Sequence, residues 1–489
     1  MNTWKGIAGL GLAAMATMPA IAQVRPNIIF IYADDMGYSD LHCYGSTVND
    51  SPNLDQMAEE GMRFTDFYSG AAVSTPSRAC LMTGRYPSRM GINHVFFPNS
   101  FTGMPQEEIT IAEMLKEQGY ATAIFGKWHL GTDIQFLPKR QGFDEFYGTV
   151  ASIDNPPVVY LDGDHAEDVV ANKDSITITI TNKALDFIER KKAEPFFCYV
   201  AYHMPHVPIA ASERFRGKSR NGLYGDVIME LDWGVGEIIK KVQELGLDEN
   251  TIIAFSSDNG PWLQEGPNGG CALPLYRGKG TTWDGGQRVP MIVRWKGKIQ
   301  AGQTESDVAC MADWFPTFAA LTGGKVPTDR AMDGYNILPV LMGTGERPNQ
   351  DFAYIFYSKV EAYRSGDWKL KMPEPLKRGN YWQADVPAHD TVLYNLRTDI
   401  GEQHDVKALH PEIVKLIVGK IDSLQATNIV GKPIFQFEFE TDALLQSQRM
   451  KAILEAKEKG IEPKSENGEL QLDYYEAIKK FYSNGGSLY

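Results

Sequence analysis

The chain has 489 residues, of which 43% are hydrophobic and 22% charged, a composition ordinary for a soluble globular protein and long enough for a large core and two domains. A formal net charge of −14 excludes a nonspecific nucleic-acid binder, although an anionic small substrate can still enter a locally basic pocket. Cys43, Cys80, Cys198, Cys271 and Cys310 show no CxxC spacing, so their odd number leaves at least one thiol unpaired and requires no disulfide.

The N-terminus, "MNTWKGIAGLGLAAMATMPAIAQ", has a weakly basic start at Lys5, an apolar run from Gly6 to Met18 and the small-residue pattern Ala20-Ile21-Ala22. This is the pattern of a signal peptide over residues 1–22, cut near Ala22. The run is shorter than the roughly 20 residues that span a bilayer, and no cysteine follows the cut. A periplasmic or secreted protein without a membrane span is the expectation.

Four stretches, "NIIFIYA" (27–33), "ATAIF" (121–125), "FFCYVAY" (196–202) and "TIIAF" (251–255), are nearly continuous in apolar residues, as strands covered on both faces are. Helical patterns such as "SPNLDQMAEEGM" and "GDVIMELDWGVGEIIKKVQELG" lie between them. The second places Val227, Ile228, Leu231, Val235, Ile238, Ile239 and Val242 close to one face. Strands alternating with helices predict an α/β fold around a large, mostly parallel sheet. After "LMGTGERPNQ" (341–350) the pattern changes to short antiparallel strands, then a helix in "ALHPEIVKLIVGKIDSLQ" and a charged, helix-prone tail after Gln436. The expected division is a catalytic domain over 23–350 and a smaller C-terminal α+β subdomain with a helical tail over 351–489.

The residues able to do chemistry stand just past the strands. The first strand runs into Asp34-Asp35, the second into Gly126-Lys127-Trp128-His129, the third into His203-Met204-Pro205-His206 and the fourth into Asp258-Asn259-Gly260. Ligands in open α/β sheets bind beyond the carboxyl ends of the strands, so these groups predict one assembled site. Asp34, Asp35, Asp258 and Asn259 offer oxygen ligands only, which suits Ca²⁺ or Mg²⁺ better than zinc. Either pair alone also fits an ordinary turn; both following buried strands favours the metal.

In "VSTPSRACLMTGRYP" (73–87) a helix is expected to begin near Pro76, with Ser74 just outside it. Its N-terminus favours an anion, which Arg78, Lys127, His129, His206 and Lys279 can surround. Lys279 lies in the glycine-flanked "RGKGTTWDGG", and His203 reads as a spacer or core histidine.

The ordered pieces "PNIIFIYADDMGYSDLHCYG", "STPSRACLMTGR", "GKWHLG", "HMPHVP", "GDVIMELDWGVG", "SDNGPW" and "GKGTTWDGGQRVP" span most of residues 26–325. With them the chain resembles the type I, formylglycine-dependent sulfatases, and within them the arylsulfatase A group. The resemblance implies an alkaline-phosphatase-like fold and hydrolysis of sulfate esters. It implies that Ser74, first residue of the Cys/Ser-x-Pro-x-Arg motif with Pro76 and Arg78 in place, is oxidised to Cα-formylglycine. Cys80 fails that pattern, because Met82 stands where proline is required. The serine form implies a radical S-adenosylmethionine maturase acting before export. One hydroxyl of the aldehyde hydrate would attack sulfur, and deprotonating the other would release sulfate by C–O cleavage.

Carried over by residue, Asp34, Asp35, Asp258, Asn259 and modified Ser74 would bind Ca²⁺, with Mg²⁺ the lesser candidate. Arg78, Lys127 and Lys279 would stabilise sulfate oxygens, His129 would be the base for sulfate elimination, and His206, alone or with Lys279, would assist the leaving group. Ser152 matches a sulfate-site serine, and Asp154 and Asn155 would contact a sugar or lie on a surface loop. The implied substrate is a sulfated carbohydrate, a galactose or N-acetylhexosamine O-sulfate. Specificity is expected in loops 93–106, 152–166 and 261–275. Two rival readings remain: a phosphatase or phosphodiesterase of the same superfold using Ser74 or Thr75 directly, and a catalytically silent binder of sulfated glycans.

Overall fold

A computed structural model of the protein describes residues 25–434, apart from 98–99, 101, 156–157, 171, 358, 378, 380–383, 428 and 430–433, together with a few residues between 455 and 480. The expected signal peptide and most of the expected helical tail lie outside the described residues.

The strands up to residue 395, in chain order, are β1 (Asn27–Ala33), β2 (Met62–Phe64), β3 (Phe67–Tyr68), β4 (Ala121–Lys127), β5 (Glu145–Thr149), β6 (Val159–Asp162), β7 (His165–Val169), β8 (Phe196–Ala201), β9 (Thr251–Ser257), β10 (Met291–Arg294), β11 (Gln303–Glu305), β12 (Ala309–Cys310), β13 (Asp351–Phe356), β14 (Lys359–Ser365), β15 (Trp368–Lys371) and β16 (Val392–Asn395). Ten of them form one sheet in the order β11-β2-β10-β9-β1-β8-β4-β5-β6-β7. The run β9-β1-β8-β4-β5 is parallel throughout, whereas β10 and the β5-β6-β7 end are antiparallel.

Every residue of β1, β4, β8 and β9 is buried, which is why these strands read as nearly continuous apolar runs. Side chains alternate across the sheet. Phe30 and Tyr32 join one core and Ile29 and Ile31 the other. Against the first core pack α2 (Ser74–Thr83), α3 (Ile111–Glu117) and α7 (Trp314–Thr322); α1 (Pro52–Glu59), α4 (Ile176–Lys191) and α5 (Gly222–Glu244) pack against the second. Two one-turn helices, α6 (Asp284–Gln287) and α8 (Leu338–Leu341), lie in connections.

Strands β13 to β16 form a separate antiparallel sheet. Helix α9 (Pro411–Gln425) covers it, with Ile417 and Ile421 reaching the first core. All five cysteines are free thiols.

Two local details differ from expectation. Helix α2 begins at Ser74 rather than after it, with Val73 in extended conformation as its N-cap. Strand β4 runs on through Lys127, because Gly126 and Lys127 still pair with Gly148 and Thr149 of β5. Gly126 has φ 113°, and a Cβ there would sit 1.9 Å from Ala201 O, so only glycine lets the strand end this close to its neighbour.

Candidate active site

Because β9, β1, β8 and β4 are adjacent and parallel, their carboxyl ends bring four distant segments to one edge of the sheet. Asp34 and Asp35 follow β1, Lys127 ends β4, His203 and His206 follow β8, and Asp258 and Asn259 follow β9. The N-terminus of α2 adds Ser74, and the loop before α6 adds Lys279. All of these side chains are buried.

Ser74 Oγ donates to Asp34 Oδ1 at 3.1 Å. Lys127 Nζ donates to Asp34 Oδ2 at 2.6 Å and lies 3.3 Å from both Ser74 Oγ and Ser152 Oγ. Arg78 grips Asp258 Oδ2 with Nε at 3.0 Å and Nη2 at 2.8 Å, and Nη1 donates to Lys127 O and to Tyr199 Oη. Asp258 Oδ1 accepts from Asp35 N at 3.1 Å. Lys279 Nζ donates to Asp35 Oδ2 at 2.7 Å and to His206 Nε2 at 3.0 Å.

Three carboxylates, Asp34, Asp35 and Asp258, thus meet three cations, Arg78, Lys127 and Lys279, out of water. Such an assembly is costly unless each charge is paired. Burial pushes the Asp34 carboxyl up, but Lys127, His206 and Arg78 outweigh it and hold it below the usual carboxylate range. Asp258 is held above that range by burial and by the Asp34 carboxylate beside it, against Arg78 and Lys127. A buried carboxyl raised by a neighbouring carboxylate is a position that a cation would relieve.

The donor set passes a second test for a metal. Oδ1 of Asn259 is buried with no hydrogen-bond partner among the described residues, while its Nδ2 donates to Asp35 Oδ1 at 2.7 Å. Among the described residues, one group of three or more His, Cys, Asp or Glu ligand atoms lies close enough to share an ion: Asp34, Asp35 and His206, within 4.8 Å of one another. The oxygen-rich set Asp34, Asp35, Asp258 and Asn259 suits a hard cation.

Above these groups opens a cavity of about 260 Å³, lined by Ser74, His129, Ser152, Asp154, Asn155, His206 and Lys279 with the apolar wall Val95 to Phe97. His129 Nε2 lies 2.8 Å from Phe96 O and so carries the proton, which leaves Nδ1, buried and without a hydrogen-bond partner among the described residues, as the basic nitrogen. Burial, then Lys127 and Arg78, hold His129 well below the usual histidine range, so the ring is neutral. His206 Nδ1 is 2.6 Å from Val207 O, which turns its Nε2 to Lys279. Burial pushes Lys279 down, but Asp35, Asp34 and Asp154 outweigh it and keep it an ammonium. Asp35 and His129 have φ of 65° and 60°, left-handed backbone that costs about 1 kcal/mol per non-glycine residue.

Every expected site residue is brought together, although not all reach the cavity. Arg78 lies beneath it, engaged with Asp258 and 3.7 Å from Asp34 Oδ1. Asn155 Nδ2 donates to Asp154 Oδ1 at 2.9 Å, and both belong to the cavity wall rather than to a remote loop. His203 is a core residue, with Nε2 2.8 Å from Thr149 Oγ1. Thr75 does not line the cavity, and its Oγ1 accepts from Phe96 N at 3.0 Å. Two supporting residues escaped the sequence reading. The Trp262 ring lies 4.4 Å from Lys279 Nζ and edge-on to His206, and Tyr199 holds Arg78. Trp262 closes the quoted "SDNGPW", which was its one available signal.

This sheet, with a buried acid cluster and a helix-borne serine at the carboxyl ends of its parallel strands, is an alkaline-phosphatase-like hydrolase fold. The sequence profile of the family described as Sulfatase matches residues 26–324. Human arylsulfatase A is 37% identical over 452 residues, covering 83% of this chain and 89% of that one. The N-acetylgalactosamine-6-O-sulfatase of Bacteroides thetaiotaomicron is 33% identical over 478 residues, with 82% and 93% covered. A solved structure from work on the metabolism of multiple glycosaminoglycans by Bacteroides thetaiotaomicron matches with TM-score 0.76 and 32% identity, over 82% of this chain and all of that one. The chain therefore belongs to the sulfatase family as an arylsulfatase A-like, type I member, and it is a sulfuric ester hydrolase. Among the described residues no helix is long and apolar enough to cross a membrane.

Proposed function

We propose that this protein is an exported sulfatase that removes sulfate from a carbohydrate, a galactose or N-acetylhexosamine O-sulfate, with Ser74 converted to Cα-formylglycine and Ca²⁺ held by Asp34, Asp35, Asp258, Asn259 and residue 74. One observation carries the reading: Ser74 Oγ lies 3.1 Å from Asp34 Oδ1 and 3.3 Å from Lys127 Nζ on a wall of the cavity that His129, His206 and Lys279 also line. Ser74 is the first residue of α2, where unpaired backbone N–H groups and the helix dipole favour an anion.

The hydrated aldehyde supplies two hydroxyls on one carbon, one to displace the alcohol at sulfur and one whose deprotonation expels sulfate. Calcium, held by Asp34, Asp35, Asp258 and Asn259, would supply Lewis acidity at the sulfate. Lys127 and Lys279 stabilise charge on the sulfate oxygens from fixed positions, and Ser152, 3.3 Å from Lys127 Nζ, orients the same group. Arg78 acts from beneath by fixing Asp258. His129, neutral and with Nδ1 unprotonated, takes the proton of the second hydroxyl. Lys279 and His206, joined at 3.0 Å, deliver a proton to the departing alcohol oxygen.

Asp154 and Asn155 supply carboxylate and amide groups on the wall for sugar hydroxyls. The carbohydrate class is supported by the named action of the Bacteroides thetaiotaomicron relative on N-acetylgalactosamine 6-O-sulfate. Protein co-produced with its maturase is expected to hydrolyse an aryl sulfate and to desulfate one or more of the 3-, 4- and 6-O-sulfated galactoses and N-acetylhexosamines. Preference for an aryl phosphate over the aryl sulfate would reject the reading in favour of the phosphoester rival.

A further inference from the structure

The loop that presents Lys279 packs against the C-terminal sheet through Thr282 and Asp284. Strand β15 turns two fully buried lysines toward it, Lys369 and Lys371. Lys369 Nζ donates to Asp284 Oδ1 at 2.9 Å and forms an ion pair with Glu402 Oε1 at 2.7 Å. Glu402 Oε2 in turn accepts from Asp284 N at 2.7 Å. Tyr354 Oη donates to Asp284 Oδ1 at 2.6 Å and Tyr68 Oη to Oδ2 at 3.1 Å. One step nearer the site, Lys371 Nζ donates to Thr282 Oγ1 at 2.9 Å and lies 4.5 Å from the Trp283 ring centre.

At its tip the loop is tied by backbone bonds to two segments outside that sheet. Lys279 N donates to Pro261 O and Gly280 N to Ala72 O, both at 2.9 Å. A buried ion cluster of this kind is a poor source of stability, since apolar residues of the same volume do as well or better. Its use here, against one loop with an ammonium at the tip, fits a role in geometry.

We propose that Lys369 is a positioning residue for sulfate-ester cleavage, which by holding Asp284 fixes the loop that aims Lys279 at the substrate. The proposal rests on the assignment of Lys279 to the reaction. Misplacing a catalytic group by about 1 Å costs up to roughly 100-fold in rate, so a loosened loop is visible in kinetics even when the protein stays folded.

The test is a double-mutant cycle on aryl sulfate hydrolysis, with Tm measured throughout. Lys369→Met and Tyr354→Phe are each made alone and with Lys279→Ala. With Lys279 present, kcat/KM is expected to fall roughly tenfold for Lys369→Met and roughly threefold for Tyr354→Phe. In the Lys279→Ala background each is expected to cost less than about twofold, because groups that act through one another are not additive. Equal losses in both backgrounds would overturn the proposal, as would no loss in either. If Lys369→Met does not fold, Tyr354→Phe decides the matter by the same comparison. Full activity of Lys279→Ala alone would overturn the assignment of Lys279 itself, and this proposal with it.

Discussion

At the scale of single residues the site is a problem of charge placed out of water. Asp258 meets both Arg78 and the acid pair after β1, so its removal does two kinds of damage. Asp258→Ala deletes a proposed calcium ligand and leaves Arg78 buried without its carboxylate, a break that costs about 3–5 kcal/mol. The variant is expected to purify without calcium and to lose at least roughly 1,000-fold in kcat/KM, the scale of losing electrostatic stabilisation and nucleophile activation together. Metal analysis of the purified protein checks this, and a wild-type calcium content would show that the ion sits elsewhere. His129→Ala tests the base. Its ring is already neutral, held down by burial, Lys127 and Arg78, so a loss of about 100- to 10,000-fold in kcat is expected across the working pH range. A loss under tenfold would remove His129 from proton transfer. Asp258 and His129 were legible in the sequence because each follows a buried strand, and Arg78 because it completes a family motif begun by Ser74. Trp262 and Tyr199 were not, since an aromatic beside a motif reads equally well as core.

At the scale of elements, the helix α5 does more than cover the sheet. Its Asp232 accepts from Leu54 N at 2.8 Å and from Asn53 N and Nδ2 at 3.2 and 2.7 Å, capping α1, whose own Ser51 makes no capping bond. Burial outweighs those hydrogen bonds and raises Asp232 to about 6. A carboxyl whose folded pKa exceeds its unfolded one stabilises the fold fully below about pH 4, and that contribution is lost as pH rises through about 6. The stability of wild type relative to Asp232→Asn is therefore expected to fall by about 2 kcal/mol between pH 4 and pH 7, read from denaturant unfolding. A difference that stays flat over that window would contradict this linkage. Element boundaries show where sequence patterns mislead. "ITITIT" at the start of α4 alternates with the period of a strand, yet Ile176, Ile180, Ala184, Phe187 and Ile188 form the buried helical face. Pro76 suggested a later start for α2, but a proline is equally at home in the first turn.

At the scale of the whole molecule, the parallel sheet and the antiparallel C-terminal sheet could both be read from pattern, but their arrangement could not. Nothing local says that β9, β1, β8 and β4 are neighbours in that order, and nothing in "DWKLKM" says that Lys369 meets Asp284. Both facts arise from contacts far apart in sequence, which periodicity does not encode. The site joins those distant parts, so an ion bound there stabilises the entire fold by mass action. Adding calcium to chelator-treated protein is expected to raise Tm progressively with concentration and to leave Asp258→Ala unchanged. Equal shifts in both proteins would place the effect outside this site.

The chemistry as a whole depends on residue 74 no longer being a serine. Mass spectrometry of the peptide containing it, from active protein made with the maturase, tests this directly. The expected peptide is about 2 Da lighter than the sequence requires and carries an aldehyde that reacts with a hydrazine, in proportion to specific activity. Full activity in protein whose residue 74 is entirely unmodified serine would refute the formylglycine mechanism.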